Sequence, residues 1–188
     1  MAVQNKTQFA ILGILSIAPG TGYDIKRYCD TVISNVWHEN FGHIYPVLSS
    51  LLKEGLVDLS EDQTIVRKKV YSISEKGLEK FMDWLVMPAE YQPVRSEFML
   101  KFLFSSNLPD DHIIKMVEDY RNRHSAKLIE FLKVEESLKN IQTEISEKRV
   151  HFLNATVRYG ILTSESAILW CDETLAIFKN INIIGSKV

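Results

Sequence analysis

The chain has 188 residues, 46% of them hydrophobic and 24% charged, with a formal net charge of -2. So apolar a composition can offset the entropy of ordering, which excludes a disordered chain and fits one sizeable domain or two small ones. The apolar run from Phe9 to Ala18 falls short of the roughly 20 residues of a bilayer span and lacks the basic flank and small-residue cleavage site of a secretory signal. The expectation is therefore a cytoplasmic protein without a membrane partner, its two cysteines, Cys29 and Cys171, reduced and buried.

The elements in chain order are mainly helical. A first helix is expected over 7–17, ended by Pro19 and Gly20, with Gly13 marking close packing. Thr21 caps a second over 22–33, whose inward positions are expected to be Tyr23, Ile25, Tyr28, Cys29 and Val32, leaving Lys26 and Arg27 outside. The stripe Ile44, Val47, Leu48, Leu51, Leu52 has helical spacing and predicts a third helix over 42–54 that stops at Gly55. Pro46 is tolerated in its first turn, where the N–H groups lack intrahelical partners. Two strand-like runs, 56–59 and 69–73, flank a polar and then basic segment and read as a two-stranded hairpin. Ser74 caps a fourth helix over 75–86, with Leu78, Phe81, Met82 and Leu85 expected inward. Three helices, a hairpin and a helix make a winged helix-turn-helix.

The segment MPAEYQP, residues 87–93, carries two prolines and separates a domain over 1–87 from one over 94–188. Beyond it come a short amphipathic helix, SEFMLKFLFSS, and then a long helix opened by Pro109, Asp110 and Asp111. No glycine or proline occurs from Asp110 to Tyr159, and apolar residues recur along it from Ile113 to Ile145. A further helix carries Val157, Ile161, Ile168, Cys171, Leu175 and Phe178 near heptad spacing, and a break near 147–151 would fold the two back on each other. Narrow apolar seams on long helices need a partner, which predicts a homodimer. The expected fold is thus mainly α: an N-terminal winged helix-turn-helix with a two-stranded wing, and a C-terminal all-α dimerisation domain of long antiparallel helices.

The sequence contains no phosphate-cradling glycine loop, no Cys or His cluster with metal spacing and no nucleophile beside a base. Neither an enzyme nor a bound metal or cofactor is expected. Double-stranded DNA fits better, because the third helix keeps a small, polar outer side that can enter the major groove. The candidate contacts are Lys26, Gly42, His43, Tyr45, Pro46, Ser49 and Lys53, with Arg67, Lys68 and Lys69 on the wing. Residues 1–87 hold 9 Lys and Arg against 10 Asp and Glu, so the positive charge is local: three consecutive cations at one hairpin. A charged strand edge that resists aggregation is the competing reading. Trp37, Phe41, Trp84, Tyr91, Phe98 and Trp170 are either core or the lining of a pocket for a small aromatic effector. The alternative function is a winged-helix module for protein–protein contact without DNA.

Five stretches carry a resemblance to the PadR family of bacterial transcriptional regulators. They are Ala10-Ile11-Leu12-Gly13-Ile14-Leu15, Gly22-Tyr23-Asp24-Ile25, Ile44-Tyr45-Pro46-Val47-Leu48, Glu54-Gly55-Leu56-Val57 and Lys69-Val70-Tyr71-Ser72-Ile73-Ser74-Glu75-Lys76-Gly77. Ser96-Glu97-Phe98-Met99-Leu100-Lys101-Phe102 resembles the opening of the helical domain in the family's larger members, and Arg158, Tyr159, Gly160 and Trp170 resemble its end. The resemblance implies a homodimeric repressor of inverted-repeat operators, released in the phenolic-acid-responsive members by a small aromatic acid. It assigns the recognition-helix tyrosine and proline to Tyr45 and Pro46, and the basic wing to Arg67, Lys68 and Lys69. Where many members have a Gly-Arg-Pro-Arg wing, this chain has Thr64-Ile65-Val66-Arg67.

Overall fold

A computed structural model describes residues 6–33, 44–62, 68–91, 95–140 and 146–185. The chain divides into two compact units, Met1–Tyr91 and Gln92–Val188, and the division falls within the proline-bearing segment 87–93.

The first unit runs α1 (Thr7–Leu15), β1 (Gly20–Thr21), α2 (Gly22–Thr31), α3 (Ile44–Lys53), β2 (Val57–Asp62), β3 (Lys68–Ile73) and α4 (Glu75–Val86). The sheet has three strands in the order β1-β3-β2, all pairs antiparallel: the expected hairpin, β2 with β3, is joined on its other side by the short β1. Pairing runs Gly20↔Tyr71 and Thr21↔Val70 on one side of β3, and from Val57↔Ile73 to Asp62↔Lys68 on the other. A two-residue strand made of Gly and Thr has no alternation to detect, which is why β1 escaped the sequence pattern.

The core is a cluster of Phe9, Ile11, Leu12, Leu15, Ile25, Cys29, Ile44, Leu48, Leu51, Leu56 and Val57. α1 is buried on most sides, so the other elements wrap it. Three inward positions expected on α2 and α3 are instead exposed: Tyr23 at 67%, and Val32 and Leu52 both at 37%. On α4, Leu78, Met82 and Leu85 are exposed, and the face toward the core is Gly77, Phe81 and Trp84. The two stripes share the same spacing and differ by one residue, about 100° around the helix. Hydrophobicity favoured the leucine stripe, whereas close approach selects the glycine one. A Cβ on Gly77 would lie 1.9 Å from the Leu56 carbonyl oxygen.

The second unit contains α5 (Glu97–Leu103), a 3-10 turn (Ser105–Asn107), α6 (Asp110–Asn140) and α7 (Glu147–Gly185). α7 begins at Glu147, so residues 147–151, near which a break was expected, are helical. α6 and α7 pack antiparallel along their lengths. One end of the seam holds Phe131, Leu138, Val157 and Ile161, and the other Val117, Cys171 and Leu175. Gly160 permits the contact, since its Cβ would come 2.3 Å from the Phe131 ring. Arg121 donates two hydrogen bonds to Asp172, at 2.6 and 3.2 Å. A second apolar row on α7, made of Phe152, Tyr159, Leu162, Leu169 and Ile177, is exposed. Among the described residues, no helix is long and apolar enough to cross a membrane.

Candidate nucleic-acid interface

The chain leaves β1 straight into α2 through Thr21, which builds a full capping box. The Asp24 N–H donates to the Thr21 hydroxyl at 3.2 Å, and the Thr21 N–H donates to the Asp24 carboxylate at 3.1 Å. Two of the N–H groups at this helix start are thereby settled by side chains. Gly22 follows, and a Cβ there would meet the Tyr45 ring at 2.5 Å. The ring of Tyr45, in the first turn of α3, can therefore lie against the start of α2.

The far end of α3 is clamped. Gly55 takes a positive φ of 68° and turns the chain into β2. Ser74 donates to the Gly55 carbonyl at 2.7 Å, and Lys76 to the Glu54 carbonyl at 2.8 Å. The Glu54 carboxylate accepts from the Ser50 hydroxyl at 3.1 Å and pairs with Lys80 at 3.3 Å. The Ser50 hydrogen bond first, and Lys80 after it, hold the Glu54 carboxyl below its ordinary pKa. Much of the family-like sequence thus fixes where α3 and the sheet stand.

These supports produce an open groove lined by Thr21, Gly22, Tyr23, Asp24, Tyr45, Ser49, Lys69 and Tyr71. Of the ten candidate contacts, Tyr45, Ser49 and Lys69 come together there, and all three are exposed. Pro46 and Lys53 are exposed on α3 without lining the groove. Lys26 stands on α2 and is held by Asp30 at 2.6 Å, which raises its pKa. Gly42, His43 and Arg67 lie outside the described residues, and of Lys68 only the backbone is described, paired with Asp62. The sequence reading missed Thr21, Gly22, Tyr23, Asp24 and Tyr71 as groove residues. The pattern Thr-x-x-Asp beside Gly22 marked the helix start, but nothing in the sequence showed that Gly22 faces Tyr45.

The six aromatic candidates are dispersed. Trp37 and Phe41 lie outside the described residues, and Tyr91 is 89% exposed. Trp84 stacks on Phe9 with centroids 4.5 Å apart, against the first unit's core. Phe98 and Trp170 meet within the second unit: Phe98 stacks on Tyr120 at 3.8 Å, and Trp170 stands edge-on to Phe98 and Phe102 at 5.8 and 5.1 Å. His124 is tilted against Tyr120 at 4.5 Å, and its Nδ1 is buried without a hydrogen-bond partner among the described residues. Burial, followed by Lys127 and Arg123, pushes its pKa down. Among the described residues, no group of three or more His, Cys, Asp or Glu could hold a metal ion.

A helix-turn-helix backed by an antiparallel wing, followed by an all-helical unit, defines a winged helix-turn-helix protein. Residues 11–83 match the transcriptional regulator PadR-like family, and residues 94–179 match the virulence activator alpha C-terminal family. The chain is 32% identical over 127 residues to the negative transcriptional regulator PadR of Bacillus subtilis, a match covering 64% of this chain and 68% of that protein. It is also similar to the crystal structure of B. subtilis PadR in complex with operator DNA: TM-score 0.83, 25% identity, 93% of this chain and 99% of that one. The B. subtilis PadR structure with p-coumaric acid gives a TM-score of 0.74 at 26% identity, over 92% and 98% of the two chains. The chain belongs to the PadR-like family of transcriptional regulators.

Proposed function

We propose that the chain is a cytoplasmic homodimer that binds an inverted-repeat DNA operator, represses transcription there, and is released by a small aromatic effector. The observation that carries this reading is the groove in which Tyr45 and Ser49 of α3 stand exposed beside Lys69 of β3. A helix with its outer face free can enter the major groove with its first turns against base edges. Lys69, together with Arg67 and Lys68, supplies cations for phosphate, where most of the affinity arises. The crystal structure of B. subtilis PadR with operator DNA supports the partner.

The row Phe152, Tyr159, Leu162, Leu169 on α7 supports the dimer. Its spacing of seven, three and seven residues makes an exposed apolar seam, the kind that a second copy buries. Two recognition helices on a two-fold would then meet major grooves about 34–36 Å apart. The effector rests on the relative's p-coumaric acid complex, and within the second unit Phe98 and Trp170 are the aromatic candidates. Trp84, stacked against a core, is a packing residue first.

The test is fluorescence anisotropy on the chain's own promoter DNA. Wild type should bind and Tyr45→Ala should bind more weakly, and a panel of phenolic acids should release the DNA. One observation favours a second reading, a module for protein partners alone: α4 exposes Leu78, Met82 and Leu85 on a unit that is not basic. A well-folded dimer that shifts no DNA at low salt would favour it.

A further inference from the structure

Besides Tyr45, and Tyr71 which packs against the core, the groove contains a tyrosine that belongs to neither the core nor the helix cap. Tyr23 is 67% exposed at the start of α2 and lines the groove beside Tyr45. Most of the ring is outside the core, and the hydroxyl of an exposed tyrosine is a hydrogen-bond donor within reach of a partner in solvent. Arg27, one turn on, places its guanidinium 6.0 Å from the Tyr23 ring centroid and 3.5 Å from the Asp24 carboxylate. Among the described residues, Asp24 is the one anion lining the groove, and it would repel a phosphate. Its charge is met by the Thr21 N–H and hydroxyl and by Arg27.

We propose that Tyr23, backed by Arg27, is a second DNA-positioning residue, donating its hydroxyl to a backbone phosphate next to the duplex edge that Tyr45 faces. This deepens the DNA-binding reading and rests on it. Phosphate contacts from tyrosine hydroxyls fix the register of a protein on DNA without reading sequence. Gly22 makes the pair workable: without a Cβ at that position, the Tyr45 ring can stand against the start of α2, next to Tyr23 in the chain. Tyr45 and Ser49 then work on the base side of the groove, and Tyr23 with Arg27 on the phosphate side.

The experiment measures anisotropy with promoter DNA and with a scrambled duplex of equal length, across a salt series, for the full-length chain. Tyr23→Phe removes one hydroxyl from an exposed side chain. It should weaken binding to both duplexes by the same factor, roughly ten-fold for a hydrogen bond to a charged acceptor, without changing the slope of log K against log salt. Arg27→Ala should make that slope shallower by about one unit. Equal affinity of Tyr23→Phe and wild type, a loss confined to the promoter duplex, or an unchanged slope for Arg27→Ala overturns the assignment. Wild type that binds neither duplex at low salt overturns the DNA reading itself, so the two failures are distinct.

Discussion

Replacing Gly77 by alanine tests whether close approach, rather than hydrophobic pattern, seats α4. The new Cβ would lie 1.9 Å from the Leu56 oxygen, 2.9 Å from the Leu56 carbonyl carbon and 3.2 Å from Ile73. An ordinary carbon–oxygen contact is about 3.3 Å, so the first turn of α4 has to withdraw by more than an ångström. Leu56 is 1% exposed and cannot yield outward. The Ser74 N–H bond to the Leu56 carbonyl at 3.1 Å and the Ser74 hydroxyl bond to the Gly55 carbonyl at 2.7 Å lie in the path of that movement. Disrupting a helix cap costs about 0.5–2 kcal/mol, and forcing extra volume into a packed site about 1–3 kcal/mol. Alanine regains about 0.5–1 kcal/mol in chain entropy. The net destabilisation should be about 2 kcal/mol, read as a lower urea midpoint at unchanged slope. A variant as stable as wild type would refute the reasoning, because no flexible side chain stands where the worst clash falls.

Three further outcomes follow from the same geometry. Gly22→Ala also creates a clash, at 2.5 Å, but against the exposed ring of Tyr45. It should therefore move that ring, costing about ten-fold in DNA affinity while shifting the urea midpoint little; a large drop in stability with normal binding would contradict this. Glu54 has a lowered pKa in the folded state, so its contribution is complete above the unfolded value of about 4.3 and disappears as pH falls through the folded one. The stability difference between wild type and Glu54→Gln should be constant near neutrality and shrink in acid, a pattern that urea titrations across pH would reveal or deny. Charging the outer face of α7 with Leu162→Lys and Leu169→Lys should yield a monomer in sedimentation equilibrium; an intact dimer would move the partner surface elsewhere.

The helices were legible wherever a cap and a periodic stripe coincided. Thr21 and Ser74 fixed the starts of α2 and α4 to the residue, and Gly55 fixed the turn after α3. What stayed hidden depended on glycines and on distance. Gly77 cannot advertise a buried face through hydrophobicity, so the leucines beside it drew the assignment. Gly22 and Tyr45 are far apart in sequence, so their meeting could not be read from either residue's local pattern. The third strand was invisible because pairing with β3, rather than its own composition, makes it a strand. Of the candidate site, the exposed Tyr45, Ser49 and Lys69 were legible from type and position, whereas the α2 wall of the groove was not. The aromatic candidates were legible as rings but not as a group, since stacking partners such as Phe9 and Tyr120 come from other helices.

The central claim is that α3 and the wing bind DNA together, and the most direct measurement is the salt dependence of promoter binding for wild type and for the Arg67, Lys68, Lys69 triple alanine variant. Wild type should bind saturably with a log K that falls with log salt, and the variant's slope should be shallower by roughly one unit for each phosphate it no longer neutralises. Parallel lines for the two proteins, or no wild-type binding at low salt, would contradict that claim.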